Sequence, residues 1–180
     1  MTPATSRPPP QPIVVLMGVS GCGKTAVGRA LAAGLGVAFV DADDLHPPAN
    51  VRKMSAGEPL SDADRGPWLG AVAQQMARAA AEGRGLVVAC SALKRAYRDR
   101  LRRATPALRL VWLTGPTSLI RDRLAVRTGH FMPAALLESQ LATLEPPTTD
   151  ERPLVADVSP PPEDLAAWID AHLGDREPGT

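Results

Sequence analysis

The sequence predicts an α/β fold of three layers, α/β/α, around a mostly parallel five-stranded sheet. Three observations carry that expectation. Short Val- and Leu-rich runs alternate with helical periodicity from residue 13 to residue 173. The first run feeds a glycine-rich loop, and the loop opens directly into a helical pattern.

The apolar run Ile13-Val14-Val15-Leu16-Met17 has no polar interruption, as a strand covered on both faces requires. Similar runs lie at 37–40, 86–90, 109–113 and 154–158. Helical patterns occupy 24–35, 64–82, 93–103, 117–127, 134–144 and 163–172. Gly83-Arg84-Gly85, Thr105-Pro106 and Gly115-Pro116 mark loops between them. Strands separated by helices imply right-handed crossovers, and ligands of such sheets bind beyond the carboxyl ends of the strands. The Pro-rich residues 1–12 and the end, 174–180, read as disordered tails around one domain, 13–173.

Composition narrows the function classes. With 180 residues, 44% of them hydrophobic, the chain can bury one substantial core. A net charge of +1 provides no electrostatic reason for a nucleic-acid or membrane partner, and 3% aromatics is too few for base-stacking surfaces. Two cysteines make no disulfide framework, so a reducing, cytoplasmic setting is expected. The first residues lack the apolar core of a signal peptide.

Chemistry concentrates where the strands end. Gly18-Val19-Ser20-Gly21-Cys22-Gly23-Lys24-Thr25 matches the phosphate-loop pattern G-x-x-x-x-G-K-[S/T], with Ala26 following in the helix. This makes the expected fold that of a P-loop NTPase. Its glycines allow backbone N–H groups to wrap phosphate oxygens; Lys24 reaches the outer phosphates and the Thr25 hydroxyl holds Mg²⁺. Cys22 contributes backbone there, and its thiol is expected to make the loop sensitive to oxidation.

After the second strand, Asp41 and Asp43 are spaced to point to one side, with His46 nearby. One carboxylate can orient a metal-bound water while the other accepts a proton from a substrate hydroxyl. After the third strand, Ser91 is placed as a helix N-cap with Lys94 one turn inside and Arg98 beyond. Cations in a first helical turn oppose the dipole, which points to an anionic ligand at Lys94 and, less strongly, at Arg98. Arg123 and Arg127 share a helix face, and Gly129 and Pro133 bracket the segment with His130; a basic lid over about 123–140 follows.

In six blocks, 18–25, 41–46, 50–69, 90–98, 129–131 and 140–146, the chain resembles bacterial-type gluconokinases. The run Lys53-Met54-Ser55-Ala56-Gly57-Glu58-Pro59-Leu60-Ser61-Asp62-Ala63-Asp64-Arg65-Gly66-Pro67-Trp68-Leu69 is the most specific. The resemblance implies a fold like shikimate and adenylate kinases and ATP-dependent phosphorylation of D-gluconate to 6-phosphogluconate. It also implies a cytoplasmic homodimer serving gluconate metabolism.

On this resemblance Asp43 is the base and Asp41 the partner of the Mg²⁺ water shell. His46, Lys53, Arg65, Ser91, Lys94, Arg98 and His130 line the acceptor, in a segment spanning about 44–84 and continuing after the third strand. Lys94, Arg123 and Arg127 neutralise the transferred charge, or Arg127 instead clasps adenine together with the region of Ser159-Pro160, two roles that compete. Trp68 and Met54 are expected to pack. A kinase for another small hydroxy acid such as shikimate, or a nucleotide-dependent switch, remains open at this point.

Overall fold

The structure, a computed structural model, describes residues 11–126 and 134–174. Five strands form one parallel sheet: β1 (Ile13–Met17), β2 (Ala38–Asp41), β3 (Leu86–Ala89), β4 (Arg109–Thr114) and β5 (Leu154–Asp157). Their order is β2-β3-β1-β4-β5, so β1 lies at the centre. Leu16 is in register with Ala89 of β3 on one side and with Val111 of β4 on the other. The chain therefore reverses its winding direction at β1, which opens a crevice just past Met17.

Alternate residues of β1 enter two cores. Val14 and Leu16 face a layer formed by α1 (Lys24–Leu35) and α7 (Pro162–Leu173), where Leu31 and Ile169 are buried. Ile13, Val15 and Met17 face α3 (Asp62–Ala81) and α4 (Arg95–Ala104), against Trp68, Met76 and Leu101. Both faces of the central strand are thus dry, which accounts for its unbroken apolar run. The edge strands differ from the expectation of two covered faces: Ala38 of β2 and Val155 of β5 are exposed, because each edge strand has a neighbour on one side only.

Element boundaries moved where caps act. Helix α3 starts at Asp62 rather than 64, because Ser61 and Asp64 form a reciprocal capping box. Helix α2 (Pro48–Ser55) has no apolar repeat to announce it; Pro48 in its first turn supplies the fixed φ that starts it. Helices α5 (Thr117–Val126) and α6 (Ala134–Thr143) complete the described set. Gln11 and Pro12, assigned to the tail, are tied to the body: the Gln11 Oε1 accepts from Gly85 N at 3.0 Å and Pro12 O from Leu86 N at 3.0 Å.

Helix α4 starts two residues later than expected. Ala92 has left-handed φ of 41°, so Ser91 cannot cap a helix that has not begun. Glu145, just past the end of α6, caps it instead by accepting from Arg95 N at 2.6 Å. On α4, Arg98 is buried and pairs with Glu151, Nε to Oε2 at 2.6 Å and Nη2 to Oε1 at 2.9 Å. Its Nη1 donates to the carbonyls of Ala92 and Leu93 at 3.1 and 3.0 Å. This corrects the expected substrate role of Arg98: its guanidinium is committed to an internal strut that fixes the turn after β3.

Burial works to raise the Glu151 pKa, but hydrogen bonds from Arg98 and from the Thr148 backbone outweigh it and hold the group ionised. Removing one member of a buried pair strands the other charge. Arg98→Met is expected to lower unfolding stability by about 3–5 kcal/mol. Replacing Arg98 and Glu151 together by Met should recover most of that loss in denaturant titration.

Candidate active site

Past the carboxyl ends of β1, β2 and β3 lies an open cleft, where ligands of parallel α/β sheets bind. Six sequence-predicted residues line it: Ser20, Lys24, Asp43, His46, Arg65 and Ser91. They come from four separate stretches of chain and meet only through the sheet.

The phosphate loop has the backbone its motif requires. Gly18 and Gly21 hold φ of +149° and +81°. A Cβ on Gly18 would stand 2.6 Å from the Leu113 carbonyl oxygen, and one on Gly21 would stand 2.5 Å from Leu124 Cγ of α5. Neither position admits another residue without rearrangement. Lys24 Nζ donates to Gly18 O at 2.9 Å and Val19 O at 3.0 Å, which leaves a third N–H for the cleft. The N–H groups of Lys24, Thr25 and Ala26 open α1 and have no partner within it. Together with the positive helix end they suit an anion.

Cys22 departs from expectation. Its side chain is fully buried in the core that packs α1 against the sheet, so the expected sensitivity to oxidation does not follow. Cys90 is likewise sealed: burial, then the charge of Asp43, pushes its thiol up to about 12.

Thr25 Oγ1 donates to Asp41 Oδ2 at 2.6 Å, and Asp41 Oδ1 accepts from Asp43 N at 3.1 Å. Asp41 thereby caps the short 3₁₀ turn Ala42–Leu45 and sets the direction of Asp43. In that turn Ala42 O accepts from Trp68 Nε1 at 2.6 Å, and the His46 ring stacks on Trp68 with centroids 4.4 Å apart. Trp68 is a packing residue, as expected, and also a platform for the His46 ring at the cleft.

Buried Asn50 uses one amide nitrogen twice, toward His46 Nδ1 at 3.3 Å and Asp64 O at 2.9 Å. An amide nitrogen only donates, so Nδ1 accepts and the neutral ring carries its proton on Nε2. Burial, then the positive charge of Arg65, lowers the His46 pKa to about 4.

Several predicted ligands do other work. Lys53 Nζ reaches both oxygens of Asp64 at 2.9 Å, and that contact, first, then the Ser61 hydrogen bonds, holds the Asp64 pKa far below the usual carboxylate range. Lys53 is therefore a brace between α2 and α3 and does not line the cleft. Lys94 is the N-cap of α4, not one turn inside, and its Nζ holds Asp62 at 2.8 and 2.9 Å while the Tyr97 hydroxyl donates to the same carboxylate. Arg95 pairs with Asp150. The cations opposing the α4 dipole thus find protein carboxylates, and the inference to an anionic ligand at Lys94 is corrected on that ground. Arg123 lies on α5 near Asp157 at the end of β5. Arg127 and His130 lie outside the described residues.

The cleft also contains residues to which the sequence reading assigned no role. Glu58, Pro59 and Leu60 come from the link between α2 and α3. Gln140 of α6 accepts from Ser20 N at 2.7 Å across 120 residues of chain. Glu58 and Gln140 both fall in the resemblance blocks, but no local pattern marks either as a ligand.

A family model described as an AAA domain matches residues 13–147. The chain is 53% identical over 138 residues to a gluconokinase of Gluconobacter oxydans strain 621H, covering 77% of this chain and 78% of that protein. The chain belongs to the gluconokinase family.

Two solved structures agree with that membership. A gluconokinase from Sinorhizobium meliloti 1021 superposes with a TM-score of 0.83 at 46% identity, covering 94% of both chains. An unliganded sugar kinase from Janibacter sp. HTCC2649 has a TM-score of 0.86 at 46% identity, over 91% of this chain and 95% of that one. In this gluconokinase-family fold, the phosphate loop and the Asp43–His46 turn share one cleft.

A depressed histidine pKa has a stability consequence. The unfolded chain takes up a proton near 6.5, whereas folded His46 resists until about 4. Its contribution is complete above pH 6.5 and drains as pH falls from 6.5 through about 4. Unfolding midpoints of wild type should therefore drop more steeply across that window than those of His46→Asn. Parallel slopes would remove His46 from this role.

Proposed function

We propose that the protein transfers the γ-phosphoryl group of ATP to a terminal hydroxyl of D-gluconate, giving 6-phospho-D-gluconate. The observation that carries this reading is a single cleft holding Lys24 of the phosphate loop, a carboxylate at Asp43 and a polar acceptor wall of His46 and Arg65.

In-line transfer needs positioning and charge neutralisation more than covalent help from the protein. The loop N–H groups and Lys24 would grip the β- and γ-phosphates. Asp43 would orient the acceptor hydroxyl and take its proton. Arg65 supplies a planar cation for the gluconate carboxylate, held in place by its donation to Leu60 O and its position over the Tyr97 ring. Neutral His46, with a proton on Nε2, offers a donor to a sugar hydroxyl without adding charge. Leu124 of α5 packs over Gly21, and Arg123 on the same helix would add positive charge on the nucleotide side of the loop.

ATP-bound Mg²⁺ keeps most of its waters and needs few protein ligands. The Thr25 hydroxyl, which donates to Asp41 and so presents its lone pairs elsewhere, fits that requirement, with Asp41 placed to hold a metal-bound water. Bound there, the ion would offset the charge of the phosphates.

The same reading makes the protein a cytoplasmic homodimer with a small-molecule substrate. Two buried free cysteines suit a reducing compartment. Among the described residues, no helix is long and apolar enough to cross a membrane.

A coupled assay of ADP release tests the proposal. Wild type should turn over with D-gluconate and not with shikimate. Lys24→Ala and Asp43→Asn should each lose at least about 100-fold in kcat while keeping the wild-type circular dichroism spectrum. Near-normal turnover by Asp43→Asn would exclude it as the base.

A further inference from the structure

The contact between Gln140 and Ser20 has a chemical peculiarity. Ser20 sits in the middle of the phosphate loop, whose backbone N–H groups are the phosphate-binding donors of the motif. Its N–H points to the Gln140 Oε1 at 2.7 Å, so a neutral amide oxygen occupies a donor suited to an anionic one. Ser20 and Gln140 both line the cleft with Lys24 and Asp43, so an oxygen competing for Ser20 N would arrive from the reaction centre itself. A charged phosphate oxygen makes roughly twice as strong a hydrogen bond as a neutral amide oxygen.

We propose that Gln140 is a positioning residue that couples nucleotide loading to acceptor binding. A terminal phosphate oxygen takes the Ser20 N–H, and the displaced Gln140 amide turns to hydrogen-bond a hydroxyl of the acceptor. The displacement exchanges one hydrogen bond for another at Ser20 and makes a new one in the cleft; no covalent bond changes. Because the amide both donates and accepts, it can serve a hydroxyl in either direction. The acceptor half of this inference rests on the proposed phosphotransfer to a sugar acid; the competition at Ser20 does not.

The test uses binding of a non-hydrolysable ATP analogue with Mg²⁺, followed by calorimetry, beside steady-state kinetics with D-gluconate. Gln140→Ala removes the competitor, so the analogue should bind about two- to tenfold tighter, while KM for gluconate rises about three- to tenfold with a smaller change in kcat. Gln140→Glu keeps an oxygen on Ser20 and adds negative charge, so analogue binding should weaken about tenfold. A merely structural contact would weaken nucleotide and gluconate together in both variants. That outcome, or unchanged binding in both, overturns the coupling. If wild type bound the analogue but phosphorylated no gluconate, the functional reading and the acceptor half would fall together. The calorimetry would still decide the competition at Ser20.

Discussion

The backbone bend between Gly18 and Gly23 is the constraint on which the rest of this molecule depends. Left-handed φ values there cost an L side chain dearly, and close neighbours at Leu113 and Leu124 leave no room for one. The bend is held from several sides: Gly18 N donates to Ser91 O at 3.3 Å, Lys24 closes over the loop carbonyls, and Gln140 takes Ser20 N. Each anchor comes from a different element. The loop is therefore only as well placed as β3, α5 and α6 are around β1.

The cleft wall formed by His46 and Arg65 is built by a different logic. Trp68 is buried by α3, yet its indole N–H fixes the turn that follows β2 and its ring supports His46. One core side chain thus connects hydrophobic packing to the orientation of a polar group in the cleft. Asn50 acts similarly, since its buried amide joins His46 to the first turn of α3. The ion pairs Lys53–Asp64 and Lys94–Asp62 brace this wall from behind. Exposed pairs of this kind contribute little to stability, but they fix where helices begin.

Much of the fold and part of the site were legible in the sequence. The phosphate loop was readable because its motif is made of backbone requirements, which glycines advertise. Strand ends and the resemblance blocks point to Asp43, His46 and Arg65, and these three side chains do line the cleft. Lys53, Lys94 and Arg98 were misread for one reason: a cation beside a motif looks the same whether its partner is a ligand or a carboxylate elsewhere in the chain. Glu151 lies 53 residues from Arg98, and no local pattern announces that pairing. Helix α2 was missed because it has no apolar repeat.

Local sequence alone determined the alternation of strands and helices, the burial of an unbroken apolar β1 on both faces, and the shape of the loop after it. Each of these follows from periodicity or from permitted backbone angles, which neighbouring residues dictate. Tertiary structure decided which charges became struts and which face the cleft, and it alone brought Gln140 to Ser20. Hydrogen bonds and ion pairs act over about 3 Å in space and take no account of distance along the chain.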